Sequence, residues 1–263
     1  MARLSWIVGY LSAALAVLPA KAEDVPVDLE LILAVDVSGS MDYEEQRLQR
    51  AGYLDALAHE QVLNAILSGP NQRIALTYVE WAGVAAQSVA VPWRLIDGPA
   101  AAEQFAAELA KAPFSRIRHT SISAALLFTS GLFAANGFSA DRQVIDISGD
   151  GPNNAGPPVL PVRDELADQG IIVNGLPIML KDSNLNTVTG FDLDVYYEDC
   201  VITGPGAFVV PVETLENFGE AIRQKLTLEI AANQPKLYRA AARASRIDCG
   251  IGERLRQNWY RDP

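Results

Sequence analysis

The sequence predicts an α/β fold with a mostly parallel sheet of six strands, one of them an antiparallel edge strand, and helices on both faces. Three observations predict it. Short apolar runs alternate along the chain with segments of helical periodicity. The first apolar run, Leu29 to Val35, is broken only by Glu30, as in strands buried on both faces. Clusters of Gly, Pro, Asn and Ser separate the runs.

The chain has 263 residues, of which 49% are apolar and 20% charged, enough for one globular domain with a short extension. Residues 1–22 form a separate unit. Arg3 precedes a mostly apolar, uncharged stretch from Leu4 to Leu18, and Ala20-Lys21-Ala22 fits a small-x-small cleavage site. The stretch is too short for a comfortable membrane span, so it reads as a secretory signal peptide, the alternative being an uncleaved anchor. The remainder divides into a domain over residues 23–231 and an extension over 232–263 that is basic, helical in part and without a clear apolar stripe.

The formal net charge is −11. Cleavage after Ala22 would remove two of the 21 basic residues, leaving 19 against 32 acidic ones and a net charge of −13. Such a surface disfavours nucleic acid and anionic membranes. The two cysteines, Cys200 and Cys249, are read as one disulfide in an oxidising compartment, the alternative being two free thiols. The loop closed in this way would contribute roughly 4 kcal/mol in the chain-entropy account.

The elements follow in order. After the first strand, residues 42–67 are helical, with Leu54, Ala58, Val62, Ala65 and Ile66 at three- and four-residue spacing, and Ser68-Gly69-Pro70-Asn71 ends the helix. Arg73 to Trp81 and Gln87 to Leu95 form a hairpin across a short connection. Ala100 to Lys111 is an alanine-rich helix. Another helix runs from Ser121 to Ala135 with Ile122, Leu126, Ser130 and Phe133 on one face. Arg142 to Ser148 is the fourth strand, followed by a loop from Gly149 to Pro161 and a short helix that ends at Gly170. Ile171 to Ile178 and Ala207 to Val212 are the fifth and sixth strands, with a short helix near Asp192 to Glu198 between them. Thr214 to Ile230 closes the domain with a stripe of Leu215, Phe218, Ile222, Leu226 and Ile230.

The chemistry concentrates in Asp36-Val37-Ser38-Gly39-Ser40, where the first strand meets the first long helix. In open α/β sheets ligands bind at this carboxyl edge. Asp36, Ser38 and Ser40 offer only oxygen, and Gly39 is expected to let the backbone turn tightly. Oxygen donors of this kind suit Mg²⁺, a hard octahedral ion that keeps part of its water shell. Read alone, Asp36 could equally cap the helix, with the serines as turn residues.

Asp-x-Ser-x-Ser after an apolar strand resembles the metal-ion-dependent adhesion site of von Willebrand factor A domains. The likeness extends to Thr120 with Ala125-Leu126, and to Asp150-Gly151 at the end of the fourth strand. It covers about residues 28–231. Val79-Glu80-Trp81, Ser148 to Asn154 and Gly204 to Phe208 further resemble a bacterial group of exported A-domain proteins of unknown function. The resemblance implies a Rossmann-like fold and one Mg²⁺ ion, with Mn²⁺ or Ca²⁺ as substitutes. Ser38 and Ser40 would ligate directly, Thr120 directly or through water, and Asp36 and Asp150 mainly through water. An open position would take an Asp or Glu of a protein partner. It also implies a periplasmic or secreted location, in a Gram-negative bacterium.

Other polar residues have plainer readings. Glu80 caps a strand, pairs with an arginine or orients a metal water, Asp146 lies inside a strand where a buried carboxylate needs partners, and Asp42 favours the first helical turn by its charge. His59 is mid-helix, His119 is a solvated loop residue, and Tyr196-Tyr197 is packing. Asn153 and Asn154 suit a turn and could touch a ligand. The chain is not expected to be an enzyme. Haloacid dehalogenase-like phosphatases resemble Asp-x-Asp, but here Ser38 stands where the second acid would act. No Ser-His-Asp set, phosphate loop or dinucleotide fingerprint is evident. A metal-dependent hydrolase and a domain whose metal only braces loops remain as alternatives. The disulfide is expected at the end of the domain opposite the metal, pinning the extension.

Overall fold

The computed structural model describes residues 23–180, 192–231 and 245–261. The expected signal peptide, and part of the expected extension, lie outside the described residues. The strands are β1 (Val25–Pro26), β2 (Glu30–Asp36), β3 (Ile74–Trp81), β4 (Gln87–Ile96), β5 (Phe138–Ser139), β6 (Gln143–Gly149) and β7 (Ile172–Pro177). The helices are α1 (Tyr43–Ala58), α2 (Glu60–Leu67), α3 (Pro99–Lys111), α4 (Ile122–Ser130), α5 (Val159–Asp168), α6 (Leu193–Tyr196), α7 (Phe218–Ala231) and α8 (Ile251–Arg261).

The main sheet has the order β4-β3-β2-β6-β7, parallel throughout except for the antiparallel β3–β4 hairpin. β2 is central, and the side chains of its apolar run alternate between the two faces. Leu29, Leu31, Leu33 and Val35 pack against Tyr53, Leu57, Phe105, Phe218 and Ile222. Ile32 and Ala34 pack on the other face with Ile122, Leu126, Val162, Leu166 and Tyr197. The chain leaves β2 toward β3 on one side and later returns as β6 on the other. The register Val35↔Ser148 therefore brings the carboxyl ends of β2 and β6 together at the point where strand order reverses.

Five strands, not six, form the main sheet. The expected sixth, Ala207 to Val212, runs parallel beside β7 and is hydrogen-bonded to it, but forms isolated bridges at Gly175↔Val209 and Ile178↔Val212 rather than a continuous ladder. Pro177 lacks the N–H a ladder needs here, and the Asn174 side chain takes the Phe208 amide at 3.0 Å. A two-stranded parallel pair, β1 with β5, carries no apolar run and was not expected.

The helix expected over 42–67 is two helices. His59 is extended (φ −78°, ψ 136°), ending α1 and capping α2, and its Nδ1 accepts from the Gln61 amide at 3.2 Å. The expected mid-helix role for His59 is thereby corrected. The buried face of α1 is also more polar than its spacing predicts. Ala58 is exposed, while Glu45, Gln46, Gln49 and Arg50 are buried beside Tyr53 and Leu57. On α7 the expected Leu215 is exposed and lies before the helix, whereas Lys225 and Glu229 are wholly buried.

Cys200 and Cys249 form a disulfide, with Cα atoms 5.5 Å apart. Its expected place is wrong. Tyr196, on the same short helical segment as Cys200, accepts from the Asn153 amide at 3.2 Å and donates to the Cys249 carbonyl at 3.5 Å. The bridge thus ties residues after it to the carboxyl-edge loop rather than to the far end. Nor do those residues lack an apolar stripe, since Ile247, Ile251 and Leu255 recur every four residues and pack against the second core cluster. Among the described residues no helix is long and apolar enough to cross a membrane.

Candidate metal centre at the carboxyl edge

Three chain segments meet where β2 and β6 end. The first leaves β2. The Asp36 Oδ1 accepts from the Ser38 amide at 2.6 Å, turning the chain so that the hydroxyls of Ser38 and Ser40 lie 2.8 Å apart. Asp36 is fully buried and caps no helix. That work is done by Asp42, which accepts from the Glu45 amide at 2.9 Å while Glu45 Oε2 accepts from the Asp42 amide at 2.7 Å. The helix-cap reading of Asp36 therefore falls. Gly39 is not in the left-handed region, and its carbonyl accepts from the Arg116 guanidinium at 2.7 Å.

The second segment leads into α4. Ser121 is the N-cap, accepting from the Ala124 amide at 3.3 Å, and Thr120 stands just before it, buried. His119 has φ +74°, a left-handed conformation that costs a non-glycine residue energy. It is exposed in a loop, as expected, and histidine is among the residue types that adopt this conformation more readily. The third segment leaves β6 through Gly149 to Asp150.

The five predicted residues come together. Thr120 Oγ1 donates to Ser38 Oγ at 3.4 Å, and Ser40 Oγ donates to Asp150 Oδ1 at 2.6 Å. Depth varies across the set: Asp36, Ser38 and Thr120 are buried, Asp150 is half-buried and Ser40 is exposed. One side of the cluster therefore faces solvent. Asp36 Oδ2 is buried without a hydrogen-bond partner. Burial, and then the negative charge of Asp150, hold the Asp36 carboxyl well above the usual carboxylate range. Two acids pressed together over hydroxyl oxygens, one carboxylate oxygen left unsatisfied, are what a hard divalent cation would relieve. The donor set thus fits such an ion. It relies on hydroxyls: among the described residues no three or more His, Cys, Asp or Glu cluster to hold a metal.

Neighbouring residues frame the site. Gly149 is required by close approach, since a Cβ there would lie 2.9 Å from both Asp36 Oδ2 and Tyr197 Oη. Tyr197 is fully buried and its hydroxyl has no partner, and burial first and the Asp36 charge second push its phenol pKa well above the usual value. Its place beside Asp36 has no signal in the sequence beyond an apolar pair. Glu80 is not free for a metal water, because it is buried against Arg50, which also donates to the Ala112 carbonyl at 2.6 Å. Burial nevertheless outweighs Arg50 and raises the Glu80 carboxyl.

Asn153 and Asn154 brace the site. Asn154 Oδ1 accepts from the Thr120 amide at 3.0 Å, and the Asn154 amide donates to the Thr120 carbonyl at 2.9 Å. Asn153 Oδ1 accepts from the Ser123 amide at 3.1 Å and its hydroxyl at 3.2 Å. The loop after Asp150 and the start of α4 are thereby locked together.

Comparison with solved structures identifies the fold. Proximal thread matrix protein 1 from the mussel byssus aligns with TM-score 0.57 and 16% identity, over 80% of this chain and 49% of its own. The pilus adhesin SpaC of Lactobacillus rhamnosus GG aligns with TM-score 0.57 and 13% identity, over 81% of this chain and 32% of its own. The von Willebrand factor domain of the type V pili tip protein Mfa5 of Porphyromonas gingivalis aligns with TM-score 0.53 and 10% identity, over 81% of this chain and 98% of its own. The chain spans about half of the mussel protein and a third of SpaC. One structure of the mussel protein is described as having a zinc-occupied metal-ion-dependent adhesion site. No curated protein matches the chain. The fold is that of von Willebrand factor type A domains, and the match of residues 26–234 places the chain in the family described as "protein of unknown function (DUF1194)".

Proposed function

We propose that this protein is an exported, non-catalytic binding module that holds one divalent cation, Mg²⁺ by preference, and uses it to capture a carboxylate of a protein partner. Residues 23–231 form the binding domain and 232–263 its extension. The observation that carries the reading is the convergence of Asp36, Ser38, Ser40, Thr120 and Asp150 from three loops, with Asp36 Oδ2 unsatisfied and Ser40 at the solvent side. The hydroxyls of Ser38, Ser40 and Thr120 would hold the ion, and Asp36 and Asp150 would balance its charge and orient its waters. A bound cation would supply an electrophilic open position for an Asp or Glu side chain.

A pilus adhesin and a pili tip protein among the structural neighbours support a protein-binding role. The disulfide and the apolar stretch at residues 4–18 support export to the periplasm or beyond in a Gram-negative bacterium. Two observations favour this over the alternatives. The paired bonds between Thr120 and Asn154 brace the loops without an ion, so a purely bracing metal would be redundant. Ser38 stands where a phosphatase of the Asp-x-Asp type would need an acid. The test is calorimetric titration of the full chain with Mg²⁺ and Mn²⁺. Saturable one-to-one binding is expected, abolished in Asp36→Ala and Asp150→Ala with the fold retained. Equal binding by the variants would place any ion elsewhere and contradict the reading.

A further inference from the structure

The residues after the disulfide pack against the loop that leaves the candidate metal centre after Asp150. Cys249 is bonded to Cys200, and Arg246, three residues earlier, makes ion pairs with Asp199 and Glu198 on the same segment. From this anchor α8 lies against the loop that follows Asp150. Glu253 Oε1 accepts from Asn153 Nδ2 at 2.7 Å, and Arg256 Nη1 donates to the Asn154 carbonyl at 3.1 Å. Gly252 is buried at the contact. A Cβ there would press into the Asn153 carbonyl, 2.8 Å from its carbon. Glycine is a poor helix former, so its use inside α8 is explained by this close approach.

Asn153 and Asn154 are the residues that fix Thr120 and the start of α4 relative to Asp150. The path from the disulfide to the oxygen cluster is therefore continuous: Cys249 to α8, α8 to Asn153 and Asn154, and these to Thr120. Groups that orient ligands from behind are worth about 10- to 100-fold in metal affinity.

We propose that α8, latched by Cys200–Cys249, is a positioning element of the metal centre, with Gly252, Glu253 and Arg256 as its positioning residues. The site reaches its full affinity only when the disulfide is closed, which couples metal capture to an oxidising compartment. This rests on the metal-binding reading above, which has its own test.

The experiment is Mn²⁺ titration of the full chain by calorimetry, with urea unfolding of each protein in the absence of metal. Three variants are compared with the wild type: Cys200→Ser with Cys249→Ser, Gly252→Ala, and the control Arg254→Ala, whose guanidinium pairs with Asp248 rather than with the loop. About a tenfold or greater rise in Kd is expected for the serine pair and for Gly252→Ala, and none for the control. Gly252→Ala is informative because it keeps the disulfide and raises helix propensity, so weakened binding would not come from melting of α8. It decides alone if the serine pair does not fold. Wild-type binding with an unchanged Kd in Gly252→Ala would overturn this inference and leave the metal reading standing. No binding by the wild type would overturn both.

Discussion

At Gly149 an unsatisfied carboxylate oxygen of Asp36 faces a residue with no side chain, and a Cβ there would lie 2.9 Å from it. Gly149→Ala would push a methyl group toward Asp36 Oδ2, Tyr197 Oη and the Trp81 ring, all within 3.3 Å. The expected outcome is a loss of roughly 1–3 kcal/mol in urea unfolding together with weakened Mn²⁺ binding. Unchanged stability and affinity would mean that this edge has slack. Most of the oxygen set was legible in the sequence because Asp36, Ser38 and Ser40 are close in the chain, so their spacing encodes their proximity. Thr120 and Asp150 were legible only through a resemblance. Their actual supports were not, because Asn154 is 34 residues from Thr120 and only folding makes them partners. An arginine partner for Glu80 was expected, but that it is Arg50, 30 residues away, emerges only on folding.

Helix α7 meets the sheet through charge as well as through Phe218, Ile222 and Leu226. Lys225 Nζ lies 2.5 Å from both Asp146 Oδ1 of β6 and Glu229 Oε1, and all three are buried. Asn174 of β7 donates to Glu229 Oε1 at 3.1 Å, Arg142 donates to the Glu229 carbonyl, and Tyr53 of α1 faces Asp146. Two acids share one lysine. Burial first, and the Asp146 charge second, push Glu229 up to about 7. A carboxyl raised in the folded state favours folding most at pH values below its unfolded pKa, and that contribution is lost as pH rises through about 7. Wild-type stability should therefore fall between about pH 4.5 and 7 relative to Glu229→Gln, on the order of a few kcal/mol, in urea unfolding across that range. Parallel pH profiles for the two proteins would show that Glu229 does not carry the proton. The sequence hid this cluster because Lys225 and Glu229 read as the solvent face of an amphipathic helix. The element boundaries were legible where Gly, Pro or Asn punctuates the chain, as at 68–71. They were missed where a side chain did the work, as at His59, or where a proline breaks a ladder, as at Pro177.

At the scale of the whole molecule, the apolar alternation of β2 divides two cores, and strand order places the ends of β2 and β6 side by side. That much follows from buried-strand patterning and the geometry of α/β sheets. The return of α8 to the carboxyl edge does not, because Ile247, Ile251 and Leu255 announce an amphipathic segment without saying which surface it covers. The resulting assembly is acidic and closed by one disulfide, and one edge of its sheet gathers oxygen ligands. This edge is proposed to hold a divalent ion. The most direct test is a crystal of the full chain grown with Mn²⁺ and measured for anomalous scattering. A single strong peak is expected within ligand distance of the Ser38 and Ser40 hydroxyls, beside Thr120, Asp36 and Asp150. A peak at another place, or a map empty at that edge under saturating Mn²⁺, would contradict it.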